Sequence, residues 1–293
     1  MRNLTLCSMV LISGCLIAGG PDSTDQTDNA PQKNQSLKAS IFDSPSDPDR
    51  FSHLPRLFVD DAGQVISAPT RWDRSDWTKA WTGAAIVLGT GLLLDHSVDH
   101  FVVTHATESW DRTGKAVEKL GGTASVLIAG GTYIAGVAFK DPEVRATGID
   151  LMVTMGIAEL MLTIPLQVVV GRSRPSDEKG THDFHPFTGG HSFPSGHTTQ
   201  AFALASVISE HADRPWVTGL SYGLAGLVGL ARMEQRGHFM SDLVASGLIG
   251  TFVGRTVVAY NQSLRADAYS KVSVSFAPTI QPGGYGFSLA MKF

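Results

Sequence analysis

The spacing of long apolar runs constrains this chain most. Between Trp81 and Tyr260 they read Trp81–Leu94, Thr123–Phe139, Ala146–Val170, Thr198–Ile208, Trp216–Leu230 and Leu243–Tyr260. All are longer than ordinary strands and lack internal turn signals, so they are expected to be helices. The stretch His96–Glu118 is mixed and amphipathic, with Trp110, Val117 and Leu120 as anchors. Glycines recur inside the runs (Gly83, Gly89, Gly130, Gly223, Gly247, Gly250), as suits close helix packing. The expected class is all-α, a bundle of about six core helices. A turn at Asp213-Arg214-Pro215 makes an antiparallel hairpin of Thr198–Ile208 and Trp216–Leu230. That hairpin brings His197, before its first helix, beside Arg232, after its second.

The runs sit between two solvents. Several are shorter than the ~20 residues a bilayer core requires, and Asp150 and Glu159 interrupt the longest. Charged residues make up 17% of the chain and the mean hydropathy is +0.05. A net charge of −4 gives no basic bias toward nucleic acid. Leu4 to Ala18 is apolar or small after Arg2, which reads as an export signal over 1–18. Within it Ile12-Ser13-Gly14-Cys15 resembles a bacterial lipobox, making Cys15 the candidate lipid attachment; ordinary cleavage nearer Ala18-Gly19 is the alternative. Cys7 and Cys15 are the only cysteines, so the mature chain has no internal disulfide, cysteine nucleophile or cysteine-based zinc site. Residues 19–50 are rich in Asp, Ser, Pro, Gln and Asn and are expected to form a disordered tether to a helical domain over 51–262. In 270–293, alternation around Pro282-Gly283-Gly284 predicts a short β-hairpin capping that domain. The expected location is the periplasmic side of a bacterial envelope, membrane-associated or lipid-anchored, with an integral membrane protein as the alternative. If the N-terminus is exported and every run spans, Arg174 falls in the cytoplasm. That favours runs that are mostly buried or seated in the membrane.

Chemistry concentrates between Gly171 and Asp242. Three polar clusters lie there at the ends of apolar runs: Arg172-Ser173-Arg174-Pro175, Pro194-Ser195-Gly196-His197, and Arg232-x5-His238-x3-Asp242. On a helix His238 and Asp242 share one face, so the carboxylate can fix one imidazole nitrogen and direct the other as nucleophile or base. Arg174 and Arg232 offer guanidinium forks that match a tetrahedral oxyanion. Ser195 caps the helix that follows, whose free amides form an anion site; Gly196 permits close approach and His197 stands ready to give a proton to a leaving group. Any one cluster alone is an ordinary helix start or surface pair. Their joint occurrence in this order is what points to phosphate chemistry.

The three clusters resemble the signature of the type 2 phosphatidic acid phosphatase and vanadium haloperoxidase superfamily: K-x6-R-P, then P-S-G-H, then S-R-x5-H-x3-D. Here they stand as Gln167-x6-Arg174-Pro175, Pro194-Ser195-Gly196-His197 and Ala231-Arg232-x5-His238-x3-Asp242, over about the C-terminal half of the chain. The resemblance implies that His238 attacks phosphorus to form a phosphohistidine, Asp242 orients it and His197 protonates the leaving oxygen. Arg174, Arg232, Ser195 and Gly196 would bind the phosphoryl oxygens. Two positions depart from the pattern. Gln167 stands where the family has lysine, and Ala231 where it has serine. Gln167 carries no charge, so Arg172 is expected to swing in as the replacement cation, ahead of Arg236.

The loop Ser176–Ser192 carries His182, His185 and His191, read as a polar lid over the site rather than a metal site, so no metal or cofactor is expected. The implied activity is hydrolysis of a phosphate monoester or diphosphate, on a phosphorylated lipid in a membrane. A soluble non-specific acid phosphatase acting on small esters uses the same site. A vanadate-dependent haloperoxidase and an inactive envelope lipid-binding protein rank below both.

Overall fold

The computed structural model describes residues 47–105, 114, 117–271, 273–281 and 284–292. The export signal, Cys15, Trp110 and most of the tether lie outside the described residues.

The helices are α1 (Leu54–Ser67), α2 (Arg74–Leu93), α3 (Asp95–His105), α4 (Thr123–Phe139), α5 (Pro142–Ile157), α6 (Ile164–Val170), α7 (Gly196–Ala212), α8 (Pro215–Glu234) and α9 (Met240–Lys271). Local chemistry starts several of them. Asp73 caps α2 by accepting from Asp76 N at 2.9 Å. Asp141 accepts from the amides of Glu143 and Val144 ahead of α5, with Pro142 at the first helical position. A π-helical turn, Ala158–Thr163, joins α5 to α6, so the run expected over Ala146–Val170 is one helix with an internal bulge. α2 and α3 meet at a 55° bend.

α7 is the axis of the bundle. It packs against α5, α8 and α9, and Ala201, Ala203, Ala205 and Val207 are buried along it. These small side chains let the neighbours approach closely. Ile149, Val153 and Ile157 of α5, Val253 and Val257 of α9, and Leu57 and Val65 of α1 fill one core. The hairpin expected from the sequence is α7 and α8. Its far end is the turn at Asp213; its near end holds His197 and Arg232, with the start of α9 beside them.

The far end is polar inside. Asp150 accepts from both terminal nitrogens of Arg265 (2.9 and 2.7 Å), from Asn261 Nδ2 at 2.9 Å, and pairs with His211 Nε2 at 2.8 Å. Asp49 receives Arg265 Nε at 2.9 Å, and the buried Asp47 pairs with Arg145. Asp47 and Asp49, the last acidic residues of the expected tether, are thus buried in ion pairs with the bundle.

The tail also departs from expectation. β1 (Ser273–Gln281) pairs with β2 (Gly284–Lys292) as an antiparallel ladder, but that two-stranded sheet does not cap the bundle. Two strands alone are marginal in water and contribute no layer to the fold. The class is all-α.

The apolar runs are not all hidden by protein. Trp81, Leu88, Leu92 and Leu93 on α2, Leu127, Ile134 and Phe139 on α4, and Trp216, Leu220 and Leu227 on α8 are exposed. Pro142–Val170 and Met240–Ala268 are long and apolar enough to cross a membrane, and α2 with α3 adds a third if the bent pair is one span. The exposed belt and these lengths mark a membrane-associated bundle.

Candidate active site

The near end holds a cleft of about 440 Å³ lined by Gln167, Arg174, Gly196, His197, Arg232 and His238, with Glu159, Ile164, Val168 and His191 completing the wall. Residues from all three sequence motifs therefore face one space. Each is placed by a helix end: Gln167 by α6, Gly196 and His197 by the start of α7, Arg232 by the last turn of α8, and His238 by the turn into α9.

His238 is 3% exposed. Its Nδ1 lies 2.7 Å from the carbonyl oxygen of Ser192, and a carbonyl only accepts, so Nδ1 carries the proton. Burial pushes its pKa down to about 3, so the ring is neutral near pH 7 and Nε2 keeps its lone pair. This corrects the expected orienting contact. His238 lies before α9 rather than on it, and Asp242 Oδ2 is 3.9 Å from Nδ1. Asp242 acts one bond further out. Its Oδ2 accepts from Ser192 Oγ at 2.6 Å and from Phe239 N at 2.8 Å, holding both chain segments that hold the imidazole.

Arg172 does not reach the cleft. Its Nη1 donates to Asp242 Oδ1 at 2.6 Å and its Nη2 to Asp95 Oδ2 at 2.7 Å. Further bonds run to Ser241 Oγ and the Thr181 carbonyl, and the guanidinium lies 4.2 Å over the Phe239 ring. A guanidinium this committed cannot replace the missing lysine. Arg236 is engaged too, donating to the Pro175 carbonyl at 2.8 Å. Gln167 itself lines the cleft, its Nε2 donating to the Pro194 carbonyl at 2.9 Å.

Ser195 occupies the cap position of α7 but makes no side-chain cap. It is fully buried; its amide donates to Ser246 Oγ at 2.8 Å and its Oγ accepts from Thr198 Oγ1 at 3.0 Å. Its backbone is tied to α9 through Ser246 and its side chain meets Thr198 of its own helix, leaving Gly196 as the motif's backbone at the cleft.

Arg232 donates through Nη1 to Glu118 Oε1 at 2.5 Å and Gln235 Oε1 at 2.8 Å, while its buried Nε has no hydrogen-bond partner among the described residues. His197 is half-buried. Burial lowers its pKa, the positive Arg232 lowers it further, and Glu118 acts in the opposite direction. Glu118, Glu159, Ser192 and Asp95 were missed by motif reading, because none lies in a motif. Glu159 carried a signal: a carboxylate inside the longest apolar run, which the π-turn presents to the cleft.

The family model described as PAP2 superfamily matches residues 147–266. That segment holds the three motifs and the helices α5 to α9 that carry them, so the resemblance read from the motifs stands. A lipid A 1-phosphatase of Porphyromonas gingivalis is 36% identical over 69 residues, 23% of this chain. The match spans only 16% of that relative's length. Two solved structures align more broadly. The crystal structure of Aquifex aeolicus LpxE is 24% identical, covers 57% of this chain and 96% of its own, and has a TM-score of 0.45. The crystal structure of the first transmembrane PAP2 type phosphatidylglycerolphosphate phosphatase, from Bacillus subtilis, is 15% identical and covers 72% and 96%, with a TM-score of 0.43.

Proposed function

We propose that this protein is a membrane-seated phosphatase that hydrolyses a phosphate monoester or diphosphate of a lipid through a phosphohistidine on His238. The observation that carries the reading is the convergence of His238, His197, Arg174, Arg232 and Gly196 on one cleft. Arg174, Arg232 and the amides at the start of α7 bind the phosphoryl oxygens. His238 Nε2 attacks phosphorus as the ester bond breaks, and His197 gives its proton to the departing oxygen. Water then attacks the phosphorus–nitrogen bond while His197 takes back a proton. Inorganic phosphate leaves, and His238 is neutral again. Every group in this sequence belongs to the chain, and no step calls for a metal.

A lipid substrate is favoured over a small ester by what surrounds the cleft. An apolar groove of about 590 Å³ is lined by Phe202, Leu227, Leu230, Leu243 and Val244 together with Thr198 and Met240, which follow His197 and His238 in the chain by one and two positions. The named activity of the Porphyromonas gingivalis relative is of the same kind.

The test is phosphate release in EDTA from phosphatidic acid in detergent micelles and from p-nitrophenyl phosphate. Release from the lipid, lost in His238→Ala, is expected. Failure of the wild-type protein on both substrates rejects the reading, and activity confined to the soluble ester assigns a general acid phosphatase instead.

A further inference from the structure

Glu118 lies outside every motif, 79 residues before His197, yet its carboxylate meets two residues of the cleft wall. Its Oε1 is 2.5 Å from Arg232 Nη1 and 3.6 Å from His197 Nε2. The approach is built into the chain. Glu118 leads into a tight turn, Lys119–Gly121, which packs against the start of α7. A Cβ on Gly121 would lie 2.4 Å from the His197 carbonyl oxygen, and one on Gly122 would lie 3.0 Å from His197 Nε2. Only residues without a side chain let the turn sit this close, which is how a distant glutamate meets the second motif.

A carboxylate beside a phosphate site repels the substrate, so its place there needs a reason. We propose that Glu118 is a positioning residue for the phosphatase reaction: it holds Arg232 by one guanidinium nitrogen at the cleft wall, and it raises the proton affinity of the His197 ring, which gives its proton to the leaving oxygen. The inference rests on the phosphatase reading above and adds a residue to it. The charges facing His197 otherwise oppose protonation. Arg232 from α8 and Arg174 from the loop after α6 are both positive, His238 is buried and neutral, and burial of His197 itself acts in the same direction. Glu118 is the carboxylate that acts on His197 against them; Glu159, on the wall of the same cleft, is held by Gln200 Nε2 at 3.1 Å. An opposite charge within ~4–6 Å typically moves a titration by about 1–3 pH units, and the lower end applies to a partly exposed pair.

The test uses full-length protein in detergent. The titration of His197 is followed by NMR, its signal assigned by loss in His197→Asn, in wild type, Glu118→Gln and Glu118→Asp. The midpoint is expected to fall by about one pH unit in Glu118→Gln and to return toward wild type in Glu118→Asp, which restores the charge. An unchanged midpoint in Glu118→Gln overturns the proposal, as does an equal fall in both variants, which would mark a structural contact. This readout needs no turnover, so it stands apart from whether the wild type releases phosphate. If it does, the alkaline limb of kcat should move to lower pH in Glu118→Gln, with a roughly tenfold greater loss on an alkyl phosphate than on p-nitrophenyl phosphate. A gain in activity with an unmoved limb would instead make Glu118 a plug that competes with substrate, and would overturn the positioning role. If Glu118→Gln does not fold, the same titration in Glu118→Ser decides the matter on the same criterion.

Discussion

Arg172 and Arg174 stand two positions apart and have opposite fates. Arg174 is exposed at the cleft, whereas Arg172 is 3% exposed and clamped between Asp95 and Asp242. Its loss would strand two buried carboxylates. Arg172→Ala should therefore cost about 3–5 kcal/mol of stability, read as a drop in melting temperature; a wild-type melt would show that the pair is not buried in solution. Because Arg172 is committed to Asp95 and Asp242, it does not replace the cation missing at Gln167. Gln167→Lys should raise phosphate affinity by roughly tenfold, in line with about 1.5–3 kcal/mol for a hydrogen bond to a charged group. Calorimetry with inorganic phosphate reads this directly, and unchanged affinity would mean that residue 167 does not reach the anion. The buried His238 makes stability depend on pH. Its folded pKa of about 3 lies below the ordinary histidine value of 6.5. Between those values the unfolded chain binds a proton that the folded chain refuses, so its contribution is complete above 6.5 and is lost as the pH falls toward 3. Stability to denaturant should thus fall from pH 7.5 to pH 5, and His238→Gln should shrink that fall; an identical fall in both proteins would contradict the burial. The sequence marked His238 and Asp242 through spacing alone. It could not reveal that a carbonyl, Ser192, stands between them, because an unmarked backbone atom leaves no trace in composition.

Elements place these side chains through helix ends, and helix ends meet only if the helices pack closely. α7 and α9 pack along a seam of small residues. A Cβ on Gly250 would meet the Thr199 carbonyl at 2.5 Å and the Ala203 amide at 2.7 Å, both backbone atoms that cannot rotate away. Gly250→Ala should push α9 from α7, costing about 1–3 kcal/mol and separating His238 from His197. Activity should fall further than the melting temperature accounts for; unaffected activity would show that the seam tolerates the shift. The seam was legible as a scatter of glycines within an apolar run. So was the α7–α8 hairpin, because Pro215 and the polar turn punctuate two unbroken runs. The π-turn at Ala158–Thr163 was overlooked, although Pro165 just beyond it lacks the amide that the Met161 carbonyl would take in a regular helix. The tail misled for the reverse reason. Alternation in β1 and β2 specifies pairing between them, and nothing in it specifies a surface to cover.

At the scale of the whole molecule the directions of the helices settle a relation that the apolar runs left ambiguous. α2 leads toward the cleft end, where Asp95 meets Arg172; α4 returns, α5 and α6 go back, α7 returns, α8 goes back and α9 leaves. Asp47 and Asp49 sit at the opposite end, bound to Arg145 and Arg265. The chain thus joins the bundle at the end away from its candidate active site. With the apolar belt of α2, α4 and α8 lying between the ends, a bilayer around that belt leaves the cleft and residue 47 on different faces. An exported N-terminus and an outward cleft then cannot both hold for a bundle that spans. The prediction concerns two exposed positions, Phe187 beside the cleft and Arg214 at the far turn. Each is replaced by cysteine in a chain whose Cys7 and Cys15 are serine, and sealed cells or spheroplasts are treated with a membrane-impermeant maleimide. A spanning bundle labels at one position and not the other. Label at Phe187→Cys alone puts the cleft outside and residue 47 in the cytoplasm, so Leu4–Ala18 is not a cleaved export signal. Label at Arg214→Cys alone puts the cleft in the cytoplasm. Equal labelling at both would mean that the belt lies on the membrane rather than across it, which would overturn the spanning arrangement while leaving the cleft chemistry untouched.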